Sequence, residues 1–206
     1  MTTITVVIPT VSGREADLAR CIDAYMSRSA HTISIVTFLN FPTCAEGWNA
    51  GAAEATGDYL HFSADDLEPH EGWDLAAIEA TERGALPAPR IVNQHGRLDS
   101  CGLHGVEMED WARVPMSVIP FMPHELWKQI GPVPPIHYFS DNFISWRAAR
   151  VGWPTAVRRG FAFTHHWAQP GRGAGMGYEQ RMRHDQGEFI EAVREAESDG
   201  AVRDRG

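Results

Sequence analysis

Lys128 is the only lysine in 206 residues, and arginine supplies the rest of the 18 basic side chains. That choice reads as coding bias before it reads as function. Positive charge is also scarce as a whole: the net charge is −9 at pH 7, which argues against broad, nonspecific nucleic-acid binding. The shortage is uneven. From Ile144 onward ten arginines face eight acids, a balance of +2, so residues 1–143 carry −11 and an arginine-rich last third could form a local groove for a phosphate. Cysteine is limited to Cys21, Cys44 and Cys101, an odd number, widely spaced and without a CxxC pair. This excludes a disulfide framework or zinc knuckle and predicts buried free thiols. No apolar run approaches the roughly 20 residues that span a bilayer. The start, "MTTITVVIPT", lacks the basic leader and small-residue cleavage site of a secretory signal, so a cytoplasmic protein is expected. Internal repeats and long linkers are missing too, which predicts one domain over 1–206.

What is present has the pattern of an α/β protein. "TITVVIPT" (3–10) is a β-branched run closed by Pro9, as in a buried parallel strand. Leu18, Ile22, Tyr25 and Met26 recur at helical spacing and predict an amphipathic helix over 14–27. "TISIVTFL" (32–39) predicts a second strand, and the alanine-rich 44–57 a helix capped by Gly57. "DYLHF" (58–62) is the third strand. The order predicts a mostly parallel central sheet flanked by helices. Helices are expected over 73–83, 123–131, 140–153 and from 178, and "RRGFAFTHHW" (158–167) alternates as a strand; 84–115 carries no readable order.

The third strand runs straight into Asp65 and Asp66. Ligands of open α/β sheets bind beyond the carboxyl ends of the strands. Adjacent aspartates there serve either a turn and helix cap or a hard divalent cation, Mg2+ or Mn2+, bridging to substrate phosphates. Two neighbouring carboxylates repel each other unless a cation is close, which supplies a reason for the pair.

Taken in order, "TVVIPT", "SIVTFLN", "WNAGAAEATGDYLHFSADD", "SDNFISWRAARVGW" and the His165–His166 pair resemble the GT-A inverting glycosyltransferases, the large family-2-like group, over roughly residues 3–167. The resemblance implies a single GT-A (Rossmann-like) domain. Residues 1–100 would form the nucleotide-sugar half, 101–170 the acceptor and catalytic half, and 171–206 a Gly-rich loop and C-terminal helix. It implies a nucleotide-diphosphate sugar as donor, a UDP-sugar favoured, with Mn2+ or Mg2+ as cofactor. Ser63-Ala64-Asp65 stands where the family carries Asp-x-Asp, so Asp65, followed by Asp66, is implied as the metal ligand, and Ser63 replaces the usual ribose contact. Asn40 stands where an acid often holds the base. Pro9, Thr10 and Val11 would line the nucleotide, and Asn49 and Gly51, within the strongest matching string, would border the donor.

Matching Arg147 and Gly152 to the family's Arg and Gly puts Asp141 at the general base, with Ser140 replacing the acid before it; an N-cap role is compatible. One histidine of His165 and His166 would complete the metal shell, since alternation puts only one on the Phe161/Phe163 face. "PGRGAGMG" lacks the Lys-Ser/Thr of a P-loop and reads as a lid carrying Arg172 to the diphosphate, or as a linker. Trp73, Trp111, Trp127, Trp146 and Trp153 are expected in the core, and Trp167 against the core or an acceptor sugar. A saccharide, a protein, a lipid carrier or a modified nucleobase all suit as acceptor, and oligomeric state is not written in the chain. Two rivals stand beside this reading. A nucleotidyltransferase would want more than the one Gly and one Arg of "VSGRE". A GT-A-like module that binds a nucleotide sugar or carbohydrate without turnover is favoured by Ser63 and Ser140.

Overall fold

The β-branched run at the start of the chain becomes the inner strand of a sheet. The structure, a computed structural model, describes residues 1–99, 105–166 and 177–203. In chain order its elements are β1 (Thr3–Thr10), α1 (Glu15–Arg28), β2 (Thr32–Leu39), α2 (Cys44–Glu54), β3 (Tyr59–Phe62), β4 (Leu67–Pro69), α3 (Trp73–Glu82), β5 (Leu86–Asn93), β6 (Arg113–Val114), β7 (Phe121–Pro123), α4 (His124–Ile130), α5 (Ser140–Arg150), β8 (Thr155–His165) and α6 (Tyr178–Arg203). One sheet has the order β2-β1-β3-β7. β1 pairs parallel with β2 and with β3, and β7 closes the edge antiparallel to β3. Ile4, Val6, Val7 and Ile8 of β1 are fully buried, because both faces are covered; that is why this strand reads as an unbroken apolar run. The second sheet is built on β8, which pairs parallel with β5 and antiparallel with β4 and β6.

Side chains from the sheets feed two cores. Trp48, Phe62, Trp127 and Phe143 fill one with α2, α4 and α5, while Tyr25, Trp73, Phe121, Phe161 and Phe163 fill the other with α1 and α3. Cys21 is buried and Cys44 partly buried, both free thiols; Cys101 lies outside the described residues. Trp73 and Trp127 are core residues as expected, but Trp111, Trp146 and Trp153 are only partly buried. The guanidinium groups of Arg83 and Arg158 stand over the Trp111 ring, 4.3 and 4.1 Å from its centre. No helix among the described residues is long and apolar enough to cross a membrane.

Several expectations need correcting. Met26 is 58% exposed. Cys21 is buried instead, because the face of α1 that meets the sheet runs through Leu18, Cys21, Ile22 and Tyr25 at i, i+3, i+4 and i+7. Gly57 is not a helix cap, since α2 ends at Glu54. Its role is close approach: a Cβ there would lie 2.7 Å from the backbone nitrogen of Thr5. The unreadable stretch contains β5, whose Pro87 and Pro89 mask it; among the described residues β8 is its one strand partner, beside a bridge from Val92 to Leu98, and a sheet edge tolerates proline.

α2 lies so close to β1 that a Cβ on Gly51 would come within 2.1 Å of Val7 Cγ1. We expect Gly51→Ala to push helix and strand apart and to destabilise the fold by about 1–3 kcal/mol. A urea melt should show the midpoint falling at unchanged slope.

Candidate active site

β1 and β3 run parallel, so their carboxyl ends open on the same edge of the sheet. The chain leaves β3 at Ser63, whose amide donates to Val7 O at 2.9 Å. The Ser63 side chain points inward: its Oγ lies 2.7 Å from the Tyr25 hydroxyl, which also meets His61 Nε2 at 2.8 Å. Burial keeps His61 neutral, its pKa pushed down to about 3. Ser63 thus sits in a polar knot of the core rather than at a ribose. Ala64 is partly buried against the same core.

The next two residues turn back to the opening. Asp65 and Asp66 are 2% and 8% exposed. Thr10, at the end of β1, donates its hydroxyl to Asp65 Oδ2 at 2.6 Å. Arg14 Nη2 lies 2.7 Å from Asp65 Oδ1 and 3.2 Å from Asp66 Oδ2. The last residue of β8, His165, brings Nε2 to 3.4 Å from Asp66 Oδ2 and Nδ1 to 3.1 Å from Asp99 Oδ2. His166 goes elsewhere: its Nε2 is 2.8 Å from Glu68 Oε1, a carboxylate also held by Arg20 at 2.9 Å. The strand's alternation therefore separates the two histidines, His165 toward the aspartates and His166 toward Glu68.

Burial pushes the Asp65 carboxyl above its ordinary range, against the Thr10 hydrogen bond and the Arg14 charge. Burial also acts on Asp66, but His165 and Arg14 outweigh it and hold that carboxyl below its usual range. His165 is the reciprocal case: burial favours the neutral ring, yet Asp66 and Asp99 raise its pKa overall.

Asp141 lies in the first turn of α5. Its Oδ1 accepts the Asn142 amide at 2.9 Å, and burial pushes its pKa up to about 6. Ser140 beside it is buried, with Oγ 3.5 Å from His137 O. Two devices fix the neighbourhood. Asp185 of α6 accepts the amides of His137 and Tyr138 at 3.0 and 2.9 Å, holding the segment that leads into α5. Arg147 donates to Ile130 O at 2.6 Å, and Gly152 takes φ +89 just past the helix, a conformation glycine adopts without strain. Thr43 caps α2, its hydroxyl oxygen accepting the Glu46 amide at 3.1 Å and donating to Glu46 Oε2 at 2.8 Å, which sets Cys44 in the first turn. The charges of both Asp141 and Asp65 raise the Cys44 thiol pKa, on top of its burial.

Other residues singled out in the sequence do different work. Asn40, at φ +59, closes a clasp with Ser12: Asn40 Oδ1 accepts the Ser12 amide at 3.0 Å and Nδ2 donates to Ser12 Oγ at 2.9 Å. It shapes the loop after Val11 through bonds that occupy its amide. The Asn49 amide is spent on the backbone of Val133, at 2.8 and 3.0 Å, and Gly51 faces Val7. Both are engaged in packing α2 against its neighbours. Pro9 packs against Gly47, leaving Thr10 as the β1 residue whose side chain reaches the aspartates. Arg172, Trp167 and the Gly-rich stretch up to residue 176 lie outside the described residues.

Sequence reasoning missed Asp99, Asp185 and the position of Arg14. Asp99 falls in the unreadable stretch, and Asp185 looks like any polar residue of a solvated helix. Arg14 was visible only as a lone loop arginine. Among the described residues, no three His, Cys, Asp or Glu side chains are gathered as a finished metal centre. The chemistry of the set nonetheless suits a hard divalent ion: two carboxylates with an imidazole beside them, and a guanidinium already lying between the carboxylates as a stand-in cation.

No protein-family model and no curated protein sequence matches the chain. Solved structures do. GalNAc-T7, solved with UDP, GalNAc and Mn2+, superposes with a TM-score of 0.62 at 14% identity, over 81% of this chain and 44% of that one. S. aureus TarS 1–349 in complex with UDP-GlcNAc superposes with a TM-score of 0.64 at 12% identity, over 86% of this chain and 62% of that one. A longer TarS structure gives 0.60 at 14% identity, over 81% and 37%. The fold is GT-A-like, and the chain spans between 37% and 62% of the length of these three structures.

Proposed function

We propose that this protein is a glycosyltransferase that moves a sugar from a nucleotide-diphosphate donor to a hydroxyl acceptor with inversion at the anomeric carbon. The observation that carries the reading is a juxtaposition on a GT-A-like fold. A carboxylate pair is buried at the exit of β3, and a carboxylate with a pKa raised to about 6 stands in the first turn of α5. Asp141 is the general base: a carboxylate of that basicity is ionised at neutral pH yet basic enough to accept the acceptor's proton. As the acceptor oxygen bonds to the anomeric carbon, its proton passes to Asp141. The carbon–oxygen bond to the diphosphate breaks on the opposite side, and the nucleoside diphosphate leaves with the electron pair.

Mn2+ or Mg2+ would be held by Asp65 and Asp66, with His165 as the histidine of the set, and would supply positive charge to the departing diphosphate. Asp99 fixes the His165 ring through Nδ1, and Thr10 fixes Asp65. UDP-sugars are the favoured donors, since the GalNAc-T7 and TarS structures carry UDP or UDP-GlcNAc. The nucleotide half is residues 1–100 and the catalytic half 101–170. Arg172 and Trp167 keep their proposed roles at the diphosphate and the acceptor. The acceptor is a saccharide, protein, lipid carrier or modified nucleobase.

Water tests the chemistry without the natural acceptor. Incubated with an α-linked UDP-sugar and Mn2+, the protein should release UDP and, as the first product seen by proton NMR, the β-anomer of the free sugar. An α-anomer would overturn inversion. Pyrophosphate from a nucleoside triphosphate and sugar phosphate would favour a nucleotidyltransferase. Saturable donor binding without turnover would favour a binding module, for which the inward Ser63 and buried Ser140 are the supporting observations.

A further inference from the structure

The aspartate pair has a cation of its own, and the way it is held says what it does. Arg14 reaches both carboxylates with a single nitrogen, Nη2. A guanidinium that pairs well with a carboxylate does so as a fork, through two parallel hydrogen bonds. Arg14 does not: its Nε and Nη2 are both shielded from solvent, and neither makes an aligned hydrogen bond among the described residues. A one-nitrogen contact with the two carboxylates, rather than a fork, holds it. Its place in the chain leaves the side chain no capping duty. Arg14 is the residue before α1 and provides no side-chain cap, and Gly13 preceding it takes φ +88 with nothing within 4 Å of where a Cβ would stand. A second carboxylate waits nearby, since Arg14 Nε is 3.8 Å from Asp17 Oδ2.

We propose that Arg14 and a divalent cation compete for the Asp65–Asp66 pair, the guanidinium neutralising it while no metal is bound and leaving when metal enters. This rests on the metal reading above. The two contend for the same atoms: a Mg2+-like ion takes carboxylate oxygens at about 2.1 Å, and Arg14 lies against Asp65 Oδ1, an oxygen such an ion would use. Displaced, the guanidinium has Asp17 Oδ2 beside it, on a carboxylate whose other oxygen Arg20 holds at 2.7 Å. Metal affinity is then reduced by the population of the arginine-bound state.

The test is Mn2+ affinity of the nucleotide-free protein, read from the electron paramagnetic resonance signal of free Mn2+, for the native chain, Arg14→Gln and Arg14→Lys. Competition predicts that Arg14→Gln binds Mn2+ about tenfold more tightly than the native protein, the fold-change expected when a competing state held at roughly 90% is removed. Arg14→Lys, which keeps the charge, should stay near the native affinity. Circular dichroism establishes that each variant is folded, and Arg14→Lys carries the comparison if the uncharged variant is not: a lysine, with one ammonium and no fork, should be displaced by Mn2+ with the native affinity to within about threefold. Equal or weaker Mn2+ binding by a folded Arg14→Gln, or a Lys variant more than tenfold from native, overturns the inference. If Mn2+ binds and donor hydrolysis proceeds without these differences, competition alone fails. If no variant binds Mn2+, the metal reading fails with it.

Discussion

Asp141→Asn should lower sugar transfer by roughly 10²–10⁴-fold, the range that a positioned general base contributes, while leaving donor affinity within about threefold of native. The amide keeps the shape and the helix-start position but cannot take the acceptor's proton. A second effect has the opposite sign. The folded-state pKa of Asp141 is about 6, raised by burial above the ordinary carboxylate value. A raised carboxyl pKa means that the folded protein binds the proton more tightly than the unfolded chain does. Asp141 therefore contributes stability below the unfolded pKa, near pH 4, and that contribution is lost as pH rises through 6. At pH 7.5 the native protein holds an ionised, half-buried carboxylate at a cost that the amide avoids. We expect Asp141→Asn to melt higher than native at pH 7.5, with the gap closing as pH is lowered to 4. The native transfer rate should rise with pH through about 6 and then level off as the base ionises. A variant that loses activity and melts lower at neutral pH would recast Asp141 as a structural cap.

The second large effect belongs to Asp65. Asp65→Ala should weaken metal-dependent donor binding by more than about 100-fold, since loss of even an outer-shell partner of a metal ligand costs 10–100-fold. It should leave metal-independent binding of the bare nucleoside unchanged. The contrast with His166→Ala is informative. His166 pairs with Glu68 away from the aspartates, so its loss should leave Mn2+ affinity near native, whereas His165→Ala should lower it. Isothermal titration with Mn2+ followed by UDP-sugar reads all three variants. Equal losses from both histidines would contradict the assignment of His165.

The first half of the fold is legible because its periods are clean. β1 through β3 alternate with two helices, and the inner strand is apolar on both faces. The rest depends on strands paired with distant ones, β4, β5 and β6 with β8 and β7 with β3. β4, β6 and β7 are two or three residues long, and β5 carries two prolines, so neither period nor propensity announces them. The site divides in the same way. Asp65, Asp66 and Asp141 can be found because each stands at the exit of a strand or the start of a helix, within strings that resemble a known family. Asp99 meets His165 across 66 residues of sequence and Asp185 meets His137 across 48, and no local signal encodes such contacts. Asn40 and Asn49 mislead for a physical reason: an amide side chain that can bond a ligand can equally bond a backbone, and here each is occupied by one or by a neighbouring hydroxyl. The choice between His165 and His166 needed Glu68, whose position follows from β4.

Donor recognition is the central claim, and thermal stabilisation tests it most directly. A ligand that binds only the folded state raises the melting temperature by mass action, by about 2.7 kcal/mol at one hundred times Kd. The protein would be melted with UDP-, GDP-, CDP- and dTDP-sugars, each with and without Mn2+. The account predicts a shift with UDP-sugars that requires Mn2+ and disappears in Asp65→Ala. No shift with any nucleotide sugar, with or without metal, would contradict it and leave the Asp65–Asp66 pair as an ion-paired turn at the end of a strand.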